Sequence, residues 1–137
     1  MAARTVVRLV LGAFYGVAGY FHLAAPAPFL RIMPGFVPQP EAMVALTGVA
    51  ELAGAIALVQ PWSGRLRRAG GWGLAAYALA VWPANITHFG MDMARPDGGW
   101  GLAYHIPRML AQPALIWCAL WAGGVTDWPW RRRARIR

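Results

Sequence analysis

The chain has 137 residues, 58% hydrophobic and 13% charged, and its net charge of +8 comes from arginine without any lysine. A soluble domain usually carries about 25% charged residues, so these long apolar stretches have no polar face for water, and a membrane protein is the simplest reading. A single cysteine, Cys118, excludes an intramolecular disulfide and CxxC dithiol chemistry.

Four apolar segments divide the one domain. The first span is expected at about residues 5–25, closed by Pro26 and Pro28, and too long for a cleaved signal segment. The second covers about 42–60 and ends at Pro61. The third covers 69–89 and the fourth 103–123, each near the ~20 residues that cross a bilayer as a helix. Residues 124–137 form a basic tail. The expected fold is all-α: a four-transmembrane-helix bundle with an outer interfacial loop or short helix.

Arginine placement sets the expected direction. Arg4, Arg8, the Arg65, Arg67 and Arg68 cluster and the C-terminal run from Arg131 to Arg137 fall on one side of a four-span path. The positive-inside rule puts both termini in the cytoplasm of a bacterial-type inner membrane. The tail suits anionic lipid headgroups, and arginines that flank spans in this way argue against a nucleic-acid partner. The connection from Ala27 to Pro40 holds four prolines but also Phe29, Leu30, Ile32, Met33, Phe36 and Val37, too apolar for a solvated loop. Trp62, Trp72, Trp100, Trp128 and Trp130 lie near span ends, as in an aromatic belt. Gly12, Gly16 and Gly19 mark one face of the first span and predict close helix approach within the chain.

Polar residues inside the spans carry the functional argument. Of His22, Glu51, Asn85, His88, His105, Arg108 and Gln112, nearly all fall in the outer half when depth is counted along each span, with Glu51 near the midplane. Ionisable groups in hydrocarbon cost free energy and usually face a protein interior. Tyr15 and His22 share a face, as do Asn85 with His88, and His105, Arg108 and Gln112. Glu51 is expected either to pair with Arg108 or to take up a proton; a plain helix-pinning Glu–Arg pair is the alternative. Glu51, His22 and Arg108 are therefore the candidate catalytic or proton-carrying groups. Tyr15, Asn85, His88, His105 and Gln112 are the candidate ligand-binding groups. No HxxxH or HxxE spacing puts two ligands on one helical turn, so no metal site is assigned.

The same residues sit in stretches that resemble the DoxX-like family of small four-span membrane proteins. These are Gly19-Tyr20-Phe21-His22, the proline-punctuated 28–38 segment, and Thr47-Gly48-Val49-Ala50-Glu51-Leu52-Ala53-Gly54, similar to the family's SGxxELxGG pattern. Trp82-Pro83-Ala84-Asn85 resembles its FPAN, and Ile106 to Gln112 its RLPLQ-type stretch, with Pro107 and Arg108 in altered order. The resemblance covers about residues 15–122. It implies a helical bundle linked to quinone-dependent sulfur oxidation or oxidative-stress complexes, and it carries over His22, Glu51, Asn85, Arg108 and Gln112.

The leading expectation is a membrane protein whose polar pocket binds a quinone-like or other small lipophilic ligand, as a subunit of a quinone-linked oxidoreductase. Quinone is the first cofactor to consider, with haem or a metal ranked below it. A soluble redox partner would supply electrons, since no side chain here carries them alone; a homo-oligomer is another form of partner. The alternatives are a transporter for a small solute or ion and a structural anchor for a soluble partner.

Overall fold

The computed structural model describes residues 2–129 and is all-helical over them. The helices are α1 (Ala2–Ala24), α2 (Ala27–Arg31), α3 (Pro40–Val59), α4 (Gly64–Met93) and α5 (Leu102–Gly123). Trp130 and the arginines of the tail lie outside the described residues.

Proline and glycine decide where these helices start and stop. Pro26 follows α1, and Pro40 opens α3 at a position where its missing N–H costs nothing. Ser63 caps α4 by accepting from the Leu66 amide at 3.2 Å. Gly124, in the left-handed region at φ 76°, ends α5. The apolar connection forms a short helix, α2, which packs on α3. Both ends of α4 overrun the apolar segment, by five residues at Gly64 and four at Met93. Hydrophobicity ends at the charges, but backbone hydrogen bonding does not, and this extension brings Asp92 onto the helix.

α1, α3, α4 and α5 each pack against two of the others, in the order α1–α3–α4–α5–α1. The apolar core lies toward the arginine-rich end, around Leu11, Leu58, Leu74, Ala75 and Ala119. At that end Arg8 donates to the Ala122 carbonyl, Arg4 pairs with Asp127, and Arg67 donates to the Gln60 and Pro61 carbonyls. Gln60, only 3% exposed, fastens the α3–α4 turn: its amide donates to Ala57 and Ser63 carbonyls and accepts from the Ser63 amide.

Close approach uses glycine, though not every glycine in the stripe on α1. A Cβ on Gly19 would stand 2.8 Å from the Gly48 carbonyl oxygen, so α1 and α3 touch backbone to backbone there. Gly12 also faces α3, at Val59, whereas Gly16 has nothing within 4 Å. The expectation of one continuous packing face is corrected: the 12–16–19 row curves off the contact at Gly16.

Two helices, over Ala3–Ala24 and Pro40–Val59, are long and apolar enough to cross a membrane. α4 and α5 have the length, but the arginines and the Pro83–His88 stretch of α4, and Tyr104 to Pro113 of α5, lower their apolarity.

Candidate functional site

All four long helices contribute to a cavity of about 730 Å3 at the end remote from the arginine cluster. α1 supplies Tyr15 and His22, and α3 supplies Glu51. Tyr77 and Asn85 come from α4, Arg108 and Gln112 from α5. The remaining walls are apolar, from Phe14, Val44, Ala84 and Leu115 among others. Six sequence-derived candidates thus share one chamber. His88 and His105 stand in an adjoining cluster.

Glu51 is 2% exposed. Its Oε2 lies 2.8 Å from His22 Nδ1, while that same nitrogen lies 2.9 Å from the Ala18 carbonyl oxygen. A single Nδ1–H cannot serve both acceptors well, and Oε2 has no aligned hydrogen bond. Tyr77 stands beside Glu51 in the cavity wall. Phe29 of α2 stacks on the His22 ring at 3.7 Å and holds it in place. The buried Tyr15 hydroxyl and Gln112 Oε1 have no partner either. Buried polar atoms are nearly always satisfied, and here two of them, Tyr15 Oη and Gln112 Oε1, face one cavity without a protein partner.

Arg108 does not pair with Glu51, as the sequence had suggested. Its Nη1 donates to His88 Nδ1 at 2.6 Å, and its guanidinium lies over the Tyr104 ring at 5.6 Å. The reason is helix length: the extra turn of α4 carries a carboxylate, Asp92, that organises the histidines beside Arg108. Asp92 Oδ2 accepts from the Trp100 amide and from His105 Nε2, both at 2.9 Å, and lies 3.6 Å from His88 Nε2. The Trp100 N–H bond first, and then that from His105, hold the Asp92 carboxyl below its ordinary pKa. Gly99, at φ 54°, lets the loop close over this carboxylate; a Cβ there would overlap it.

His88, Asp92 and His105 bring three ligand-type atoms within 4.8 Å of one another. The absence of a two-ligand turn is therefore corrected, since His88 and Asp92 are four residues apart on one helix. The bonding still opposes a cation. Metal on His88 Nε2 would require the proton on Nδ1, where Arg108 already donates. The cluster is a chain of donors converging on Asp92, which orients Arg108.

Sequence reasoning missed Asp92, Tyr77 and Phe29. The i, i+4 spacing from His88 would have found Asp92 had the helix been extended past Phe89. Tyr77 lies mid-way along α4 without other polar residues beside it, and Phe29 reaches the site only through the fold of α2.

The family recorded as Domain of unknown function (DUF8561) matches residues 11–123, which include every residue of the cavity and of the Asp92 cluster. The chain belongs to that family. No curated protein and no solved structure gives a match. The family stretch ends where α5 ends and stops short of the basic tail.

Proposed function

We propose that the chain is a four-span inner-membrane protein with both termini in the cytoplasm, and that its outer-half cavity binds a small lipophilic ligand with a hydrogen-bonding head, of the quinone type. The observation that carries this reading is the pair of buried atoms without a protein partner, Tyr15 Oη and Gln112 Oε1, beside the His22–Glu51 pair in an apolar-walled chamber. Cavities of about 300–1,000 Å3 with a few convergent polar groups are the usual small-molecule site.

Inverted polarity supports the membrane setting. Glu51, Asn85, His105 and Gln112 are buried, whereas Val10, Val17, Leu46, Ile56, Leu79, Ile86 and Leu110 are exposed, on all four long helices. Lipid accommodates such apolar surface and water does not. Access is lateral. α3 and α4 are locked toward the basic end, where Gly54 meets Leu74 and Gly70 meets Ala57. Toward the other end Met43, Leu46, Ala80 and Val81 border the chamber, so a ligand dissolved in the bilayer reaches it between these helices. The Tyr15 hydroxyl and the Gln112 amide would bond the ligand's carbonyl oxygens, and Glu51 with His22 would hold a proton beside it. The DoxX-like motifs lend a quinone-linked context, in which a soluble partner supplies electrons.

The test is binding of a short-chain decyl benzoquinone to the purified protein in neutral detergent. Tyr15→Phe and Gln112→Leu each remove one neutral hydrogen bond and should weaken binding by roughly fivefold. Absence of saturable binding, or undiminished affinity in both variants relative to the unaltered protein, would refute the reading.

A further inference from the structure

Arginine charge exceeds carboxylate charge beside this cavity. A second hollow, of about 380 Å3, opens between α2 and the ends of α4 and α5 and is lined by Arg31, Arg95, Arg108, Trp100 and Tyr104. Arg95 is neutralised by a two-pronged bond to Asp97, at 2.9 and 2.8 Å. Asp92 also lines the hollow; its Oδ2 bonds Trp100 and His105, and its charge offsets one more arginine, which leaves one in excess. Arg108 bonds only a histidine and lies on a tyrosine ring; no carboxylate meets it among the described residues. Arg31 has no ion pair or hydrogen bond among them. Phe29, Ile32 and Arg108 line both the hollow and the cavity, so the two spaces share one thin wall.

We infer that the hollow is a head-group site, and that the cavity also admits an anionic amphiphile with its oxyanion head between Arg31 and Arg108 and its apolar body in the cavity past Phe29. This rests on the cavity reading above and extends it to a second, anionic class of lipophilic ligand. Two guanidinium groups match a phosphate or carboxylate with forked donors, and the low dielectric near the membrane interface strengthens that attraction. Arg108 is already aimed, because His88 and Tyr104 fix its plane, and little side-chain freedom remains to be lost on binding. Arg31, on the short helix α2 just after Phe29, closes the other side.

The experiment compares dodecyl phosphate with dodecanol, which share a chain and differ in the head, by native mass spectrometry of the full chain in neutral detergent. Dodecyl phosphate should bind one to one and roughly tenfold or more tighter. Arg31→Gln should remove most of that advantage without changing dodecanol binding, and Arg31→Lys should restore part of it. Arg31 is exposed, so folding is not at risk; Arg108→Lys against Arg108→Gln gives the second measurement. Equal affinity for the two amphiphiles, or an unchanged phosphate advantage in Arg31→Gln, would overturn the inference. If the decyl quinone binds while phosphate gives no advantage, the cavity reading stands and only the head-group site falls. If neither amphiphile nor quinone binds, both fall. Displacement of dodecyl phosphate by phosphatidylglycerol would identify the bilayer as the source of the head; retention would identify a single-chain ligand, with the same head chemistry supported in either case.

Discussion

Replacing Gly48 by alanine tests the contact on which the His22–Glu51 geometry depends. The new methyl group would stand 2.8 Å from His22 Cβ and 3.1 Å from the Gly19 carbonyl oxygen, where ordinary contact begins at 3.4 Å. A backbone oxygen cannot swing away, so α1 and α3 must separate by about half an ångström, and forced packing of this kind costs about 1–3 kcal/mol. Alanine is also the better helix former by about 1 kcal/mol, which hides part of the loss. Gly16→Ala removes that ambiguity. It gains the same propensity on the facing helix, α1, with nothing within 4 Å. Denaturant or thermal unfolding in one detergent, followed by circular dichroism, should therefore place Gly48→Ala about 1–3 kcal/mol below Gly16→Ala. Quinone affinity should fall in Gly48→Ala alone, because the 2.8 Å His22–Glu51 approach opens. Equal stability of the two variants would refute the close helix crossing and the site geometry built on it.

Gly99→Ala should lower stability by about 1–3 kcal/mol, through its left-handed backbone and overlap with Asp92; faster hydrogen exchange at the Trp100 amide would locate the damage. Because the folded pKa of Asp92 is depressed, its contribution is present at neutral pH, above the unfolded value of about 3.9, and is lost as pH falls through the folded pKa. Asp97, held low by Arg95 and the Gly99 amide, acts in the same direction. Thermal melts from pH 6 to pH 3 should decline, and Asp92→Asn should melt lower at pH 6 with a shallower decline; an unchanged slope would count against the cluster. Gln60→Ala leaves the Ser63 amide and two carbonyls at the α3–α4 turn without their partner and should cost about 1–3 kcal/mol in chemical denaturation.

Helix existence and the polar cavity residues were legible from spacing alone. Apolar runs punctuated by Pro26, Pro61 and the glycines of the 98–101 loop leave a helix little freedom over where to lie. Counting depth along them put His22, Asn85, His88, His105, Arg108 and Gln112 in the outer half and Glu51 near the midplane, because rise per residue is fixed in a helix, and Tyr15 followed from the face it shares with His22. Which polar group meets which was not legible. Glu51 and Arg108 are the obvious pair by charge, yet the partners are His22 and His88.

Local rules act through neighbours three and four residues away, so they determined helices, faces and the basic end. Partner choice depends on how helices rotate and where they overrun their apolar segments. Only the folded chain decided that α4 runs on to Asp92, that Gly16 turns away from α3 while Gly19 meets Gly48, and that Phe29 reaches back to His22. Each is a contact between segments whose separation along the chain carries no information about distance in space, and packing of whole surfaces, rather than pairwise charge, selected it.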